Sequence, residues 1–470
     1  MGRQKRREPI LIENIEIIDT ANKGKSVAKH EGRAIFVQGG VPGDICDITV
    51  FKRRKKFWEA RIEKIHSYSK RRTEPKCEHF GTCGGCKWQN MKYASQLEFK
   101  QNEVLNNLQR IGGIELLPHS EILRSENEYF YRNKMEFTFS NKRWLTSEEV
   151  QSKAEIEDKD ALGFHVPGMF DKVINLNNCH LQKEPSNAIR LSIKRFTDKK
   201  KLTYFDIRNQ EGLLRNLMIR TSSTNDLMVL VQFYENDIKN INLLMEHIKN
   251  SFPEITSLLY IINQKANNTM YDQDVICYNG ENHIMEEMDG LHFKIGAKSF
   301  FQTNSEQAKI LYRKTKELAQ ITENDLVYDL YTGTGTIAQY LATSAKKVVG
   351  IDSIEEGIKA AYENADRNNI KNCTFYTGDM KEIFTDDFII KNGTPDVIIT
   401  DPPRDGMHKK VVEQILKISA KRIVYVSCNS ATQARDLALM DEKYKVIQIQ
   451  PVDMFPQTHH VENIIVLELK

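Results

Sequence analysis

No uninterrupted apolar run in this 470-residue sequence approaches the roughly 20 residues that a bilayer-spanning helix needs. The basic start, Met1-Gly2-Arg3-Gln4-Lys5-Arg6-Arg7-Glu8, lacks the apolar core of a secretory signal. The eight cysteines form no recognisable disulfide framework, and no repeat of solenoid type is present. These absences exclude a helical membrane span, a secreted disulfide scaffold and a repeat array, so the expected location is cytoplasmic. What is present is an ordinary globular composition, 40% hydrophobic and 28% charged. The length allows roughly two to four domains.

The net charge of +3 conceals an asymmetry. Residues 1–76 carry 19 Lys/Arg against 10 Asp/Glu, a net +9, which leaves the other 394 residues at −6. Much of the excess sits in Lys52-Arg53-Arg54-Lys55-Lys56 and Lys70-Arg71-Arg72. A positive segment joined to a mildly acidic body is the electrostatic footprint expected for a polyanion. Residues 10–67 read as short strands broken by glycine turns: Ile10 to Ile18, Ala34 to Val37, Ile45 to Val50 and Trp58 to Ile65. Five or so short strands in under 70 residues suit a small closed β-barrel of the OB type. Glycine placement and charge make this stretch resemble a TRAM domain, a small barrel attached to several RNA-modifying enzymes.

Cys77, Cys83 and Cys86 then follow in a C-x5-C-x2-C arrangement interleaved with Gly81, Gly84 and Gly85. Three thiols on a glycine-rich turn can converge on one soft metal centre, zinc or iron–sulfur. The paired C-x2-C knuckles of a zinc ribbon are missing, as is the C-x3-C-x2-C of radical enzymes. A fourth ligand would come from Cys46, Cys179, Cys277 or Cys373, and Cys179 is preferred because it shares the middle region.

Residues 89–112 carry a helical apolar face through Tyr93, Leu97, Val104, Leu105 and Leu108. From about 129 to 290 alternating runs such as Lys134–Phe139, Leu217–Arg220 and Leu227–Gln232 predict an antiparallel sheet with helices beside it. The charged stretch Glu148 to Asp160 is expected to be a surface loop or insertion. Beyond about 295 strands alternate with helices. Leu326–Tyr331 runs into Thr332-Gly333-Thr334-Gly335-Thr336, and Lys347–Ile351 ends in Asp352, 23 residues after Asp329. A tight glycine turn lets backbone approach a nucleoside, and an acid ending the next strand can hold ribose hydroxyls. The third glycine of a dinucleotide fingerprint is absent. Asp396–Thr400 ends in Asp401-Pro402-Pro403-Arg404, and the apolar run Ile423–Val426 delivers Ser427-Cys428-Asn429 to a strand end. Strand ends carrying Gly, Asp, Asp-Pro-Pro and Cys describe a Rossmann-like S-adenosylmethionine methyltransferase better than a dehydrogenase.

Phe300-Phe301-Gln302-Thr303-Asn304, Asp329 to Gly335, Asp401-Pro402-Pro403-Arg404, Ser427-Cys428-Asn429 and His460-Val461-Glu462 occur in this order. With the cysteine cluster they make nearly the whole chain resemble the RNA uracil-5-methyltransferase family, the RumA/TrmA group. The barrel and the cysteines are similar to the 23S rRNA branch rather than the tRNA branch, which lacks both. The resemblance implies a multidomain α/β chain: a barrel over 1–70, a central α+β Fe–S and RNA-binding domain over 71–292, and a methyltransferase domain over 293–470. It also implies S-adenosylmethionine at Gln302, Tyr331, Asp352 and Asp401, and a [4Fe-4S] cluster on Cys77, Cys83, Cys86 and Cys179. Cys428 becomes the nucleophile and Glu462 the base, acting on a uridine of 23S rRNA, in a monomer with no obligate protein partner. One departure is Asp352, where many members have Glu.

The chemistry needs these residue types. C5 of uracil is too weak a nucleophile for a sulfonium methyl until a thiolate adds at C6, and a base must then remove the C5 proton. Arg404 is a candidate oxyanion or phosphate partner, Phe300 or Phe301 a stacking surface for the extruded base, and His459 and His460 structural or phosphate-facing. The same chemistry on tRNA, or a non-catalytic RNA-binding assembly factor, are the competing expectations; intact Cys428 and Glu462 speak against the latter.

Overall fold

A computed structural model describes residues 9–116, 119–152 and 158–470, with the side chain of Ser147 outside that description. The basic start at 1–8 and residues 153–157 of the charged stretch therefore lie outside it. The chain divides into two compact units: Met1–Glu103 with Phe455–His460, and Val104–Met454 with Val461–Lys470.

In the first unit β1 (Ile10–Ala21), β2 (Lys25–His30), β3 (Arg33–Gln38), β4 (Ile45–Arg53) and β5 (Phe57–Ser67) close into a barrel in the order β1-β2-β3-β5-β4. Alternate side chains fill it, among them Ile17, Ala28, Ile35, Val37, Cys46, Ile48 and Ala60. Asn14 takes a φ of 53° where the β1–β4 register shifts, and that irregularity bends β1 far enough to serve two neighbours. Asp44 anchors the exit of the barrel, accepting from Val41 N (2.7 Å) and pairing with the Arg72 guanidinium (2.7 Å). The cysteine segment follows as a run of turns, with Phe80 N donating to Cys77 O (3.0 Å) and Cys83 N to His79 O (2.8 Å). It is fixed at its end by Gln457, whose carbonyl accepts from Lys87 N and Trp88 N. The amides of Gln457 and Gln96 bond each other reciprocally. Helix α1 (Tyr93–Arg110) comes next, two to four residues inside the limits expected from its apolar face.

The second unit holds two large sheets. One has the order β12-β11-β10-β9-β6-β7-β8, from β6 (Lys134–Ser140), β7 (Ala161–His165), β8 (Val173–Asn175), β9 (Leu214–Thr221), β10 (Leu227–Phe233), β11 (Ser257–Ile262) and β12 (Ile276–Gly280). It is antiparallel except for β10 beside β11. Helix α2 (Ser147–Ser152) occupies part of the stretch expected to be a loop, with Glu149 bonding Thr146 N (2.8 Å) as in a capping box. Helices α3 (Ser186–Lys200) and α4 (Ile238–Ser251) pack against each other. A hairpin of β13 (His283–Met288) and β14 (Leu291–Gly296) turns at Asp289-Gly290, both at positive φ, as a two-residue hairpin requires.

The other sheet contains β15 (Leu326–Leu330), β16 (Lys347–Asp352), β17 (Cys373–Thr377), β18 (Val397–Thr400), β19 (Arg422–Ser427), β20 (Tyr444–Val452) and β21 (Glu462–Leu469) in the order β17-β16-β15-β18-β19-β21-β20. β15 to β19 are parallel, and β21 inserts antiparallel beside β19. Its helices are α5 (Ser305–Ala319), α6 (Thr336–Ala342), α7 (Glu355–Arg367), α8 (Met380–Ile383), α9 (Asp386–Asn392), α10 (Lys409–Ile418) and α11 (Ser430–Met440). The parallel strands are buried on both faces, which is why they read as continuous apolar runs. The order of parallel strands reverses at β15 and β18, so the switch point lies at the C-terminal ends of those two strands.

Candidate active site at the strand ends

Sheet register alone gathers the candidate residues. Leu330 pairs with Ile351 on one side and Thr400 on the other, so Tyr331, Asp352 and Asp401 emerge side by side. Thr400 pairs with Tyr425, and Ser427 pairs antiparallel with Asn463. Cys428 and Glu462 are the next residues beyond that pair. The 33 residues between them include all of α11 and β20, yet the two groups share one edge.

Cys428 lies just past β19 and is half-buried. Asn429 caps α11, its side chain accepting from Ala431 N (3.2 Å). The Asn429 amide and the Thr432 hydroxyl both donate to the Arg404 carbonyl, at 2.9 and 3.0 Å. The Asp-Pro-Pro-Arg loop is thereby fixed to the thiol loop. Asp436 on α11 adds a second clamp, accepting from Met407 N (2.8 Å) and from the Tyr425 hydroxyl (2.8 Å). The charge of Arg404 favours the Cys428 thiolate.

The electrostatics favour protons. Burial pushes the Cys428 thiol up to about 11, helped by the negative charges of Glu462 and Asp401 and opposed by Arg404. Glu462 is 5% exposed, and burial first, then Asp401, raises its carboxyl to about 8. Burial raises Asp401 to about 7. Asp329, fully buried, also rises to about 7 through burial; its Oδ2 accepts from Thr332 Oγ1 (2.5 Å), and its Oδ1 is unpartnered among the described residues.

The glycine loop is shaped for a ligand. Tyr331 takes φ 66° and Gly333 φ 57°, and Gly333 N donates to Asp352 Oδ2 (2.9 Å) while Ile354 N donates to Oδ1 (2.9 Å). The shorter Asp352 side chain is thus held by backbone at the strand end, with lone pairs left on both oxygens. A Cβ built on Gly333 meets nothing within 4 Å, whereas one on Gly335 would lie 2.8 Å from Ala361 Cβ. Gly333 borders open space and Gly335 is a close helix–loop contact. The loop thus leaves open space at Gly333 beside a fixed carboxylate.

Gln302 is 8% exposed, and its main-chain carbonyl accepts from Asn133 Nδ2 (2.8 Å). Phe301 is buried against Phe293, with ring centroids 6.2 Å apart, so it is a core residue; Phe300 is exposed and alone keeps a stacking role open. Sequence reasoning missed Tyr312, Asp436 and Gln433. Gln433 donates from Nε2 to the Tyr425 carbonyl (2.8 Å) and accepts at Oε1 from Asn463 Nδ2 (2.8 Å). The only signal for Tyr312 was a place on the apolar stripe of α5, which any core tyrosine would share.

The cysteines separate by environment. Cys46 is barrel core and Cys277 is exposed on β12, while burial pushes Cys373 at the start of β17 up to about 12. Cys77, Cys83 and Cys86 lie in the turn-rich segment of the first unit and Cys179 in the second unit, with Asn187 amide donating to the Cys179 carbonyl (3.1 Å). Among the described residues no group of three or more His, Cys, Asp or Glu side chains is gathered to hold a metal ion. No helix among them is long and apolar enough to cross a membrane.

A parallel sheet with an antiparallel insertion beside its last parallel strand, bearing a glycine loop and a thiol at one edge, defines a methyltransferase fold. The family model described as tRNA (Uracil-5-)-methyltransferase matches residues 206–470. An uncharacterised RNA methyltransferase of Bacteroides thetaiotaomicron is 52% identical over 96% of this chain and 100% of its own length. Another from Chlorobaculum tepidum is 38% identical over 97% and 95%. The crystal structure of Pyrococcus abyssi tRNA (uracil-54, C5)-methyltransferase with S-adenosyl-L-homocysteine is similar at a TM-score of 0.74 and 28% identity, covering 96% of this chain and all of that one. The chain belongs to the tRNA (uracil-5-)-methyltransferase family of RNA methyltransferases.

Proposed function

We propose that this protein methylates C5 of a uridine in RNA, with Cys428 as nucleophile and Glu462 as base. The observation that carries the reading is the Ser427–Asn463 pair, beyond which Cys428 and Glu462 come to one sheet edge, within electrostatic reach of each other, of Asp401 and of Arg404. Gln302, Tyr331, Asp352 and Asp401 would hold S-adenosylmethionine, which supplies an electrophilic methyl group when bound. The Cys428 sulfur adds to C6 of the flipped uracil as its proton passes to solvent, and the positive charge of Arg404 favours the thiolate. The electron pair moves to C5 and O4, and C5 takes the methyl group as the donor's S–CH3 bond breaks and its sulfur leaves as a neutral thioether. Glu462, as carboxylate, then removes the C5 proton; the C5–C6 double bond reforms and the C6–S bond breaks. A carboxyl raised to about 8 is mostly protonated at neutral pH, so it must first give up its proton; the carboxylate that results is a stronger base than an ordinary one.

The reading extends to 23S rRNA as substrate, a TRAM-like barrel at 1–70, a central domain at 71–292, a catalytic domain at 293–470, and a cytoplasmic monomer. The barrel and the C-x5-C-x2-C spacing support the rRNA branch; a [4Fe-4S] cluster on Cys77, Cys83, Cys86 and Cys179 rests on that spacing alone. The likeness to the Pyrococcus tRNA enzyme supports tRNA as a second substrate reading. Mapping 5-methyluridine in rRNA and tRNA from cells with and without the protein separates them: a site lost from 23S rRNA supports the first, and a loss confined to tRNA overturns it.

A further inference from the structure

Residues 297–304 join β14 to α5 and include Gln302. The sheet that contains β6 and β9 holds this segment at both ends. Asn133, just before β6, is 6% exposed. Its Nδ2 donates to the Gln302 carbonyl (2.8 Å) and to Ser305 Oγ (2.8 Å), and its main-chain N donates to Thr303 O (2.9 Å). A carbonyl only accepts, so the end of the Asn133 amide that faces Gln302 is the nitrogen. The other end, Oδ1, is buried without a partner among the described residues, a cost that an apolar side chain of similar size would not carry. Asn133 is tied into the sheet in turn, its carbonyl accepting from Thr221 N (2.8 Å). Arg220, the residue before Thr221 on β9, is 2% exposed, and its Nη1 donates to Gly296 O (3.3 Å) and Ser299 O (3.0 Å). Arg220 pairs with Lys134 in the β6–β9 ladder, so the two anchors occupy neighbouring positions of one sheet. None of these bonds uses the Gln302 carboxamide: they fix its main chain and take up neither polar end of its side chain.

We propose that Asn133 and Arg220 are positioning residues that fix this segment so that the Gln302 carboxamide meets the methyl donor. The inference rests on the placement of Gln302 at the S-adenosylmethionine site, which Q302A tests separately. Kinetics of N133L, R220M, R220K, Q302A and the N133L/Q302A double variant test it, each substrate varied in turn with the other saturating. N133L keeps the volume and removes both side-chain bonds. It should raise KM for S-adenosylmethionine about five- to tenfold and leave kcat and the KM for RNA within about twofold. In the Q302A background N133L should add less than about twofold, because no carboxamide remains to be misplaced. R220M should act in the same direction, and R220K, which keeps a donor there, should recover about half of the loss; this pair carries the test if N133L does not fold. Calorimetric titration of the folded variants with S-adenosylhomocysteine should show the same losses without turnover. An unchanged KM for S-adenosylmethionine in folded N133L or R220M, a full multiplicative effect of N133L on Q302A, or an equal rise in the KM for RNA overturns the positioning role while leaving Gln302 in place. An unchanged KM in Q302A overturns the placement of Gln302 and the proposal with it.

Discussion

Glu462 has a carboxyl raised from 4.5 to about 8, so folding takes up a proton there at neutral pH. The sign follows: the stability tied to the neutral form is complete below about 4.5 and is lost as pH rises through about 8. Glu462→Gln cannot titrate, so it should gain stability relative to the wild type between pH 5 and 9, by up to roughly 4 kcal/mol. Denaturant melts at pH 5, 7 and 9 would read this; a difference that does not change with pH would contradict the buried carboxyl. The same variant should stall after methyl transfer and accumulate RNA-linked protein, since no base remains to take the C5 proton. Absence of that species on denaturing gels would remove Glu462 from the role. The thiol was legible from residue types at a strand end. Its high proton affinity was not, because burial and the charges of Glu462 and Asp401 come from packing.

Between strands, two glycines of one loop make different demands. Gly333 and Gly335 both sit at positive φ, but only Gly335 faces Ala361 and Phe375 within about 3 Å of a Cβ position. Gly333→Ala should cost about 1 kcal/mol from the left-handed backbone alone. Gly335→Ala adds overpacking and should cost about 2–4 kcal/mol. Equal losses in thermal denaturation would contradict this. β15, β16, β18 and β19 were legible because strands buried on both faces read as continuous apolar runs. β21 opens with Glu462-Asn463, and its antiparallel insertion beside β19 is a long-range pairing that no local pattern encodes. Helix α2 arose where charge suggested a loop, because the Thr146–Glu149 box supplies a helix start. Phe300 and Phe301, adjacent and alike in sequence, part in the fold: one is exposed and the other is core.

Across the whole chain, the +9 charge of residues 1–76 falls largely on the barrel and its exit, as a polyanion-binding front end would require. The C-x5-C-x2-C segment sets a separate test. Anaerobically purified protein should be brown and hold about four irons per chain; a colourless or zinc-loaded protein would end the cluster proposal without touching the methyl chemistry. The central claim is covalent attack by Cys428, and RNA carrying 5-fluorouridine at the target tests it most directly, because fluorine leaves no C5 proton to remove. With S-adenosylmethionine present, a stable protein–RNA adduct should form, its crosslinked peptide should contain Cys428, and the bound base should carry the methyl group. An adduct on another residue, or no adduct from an enzyme that still methylates the unfluorinated RNA, would contradict the account.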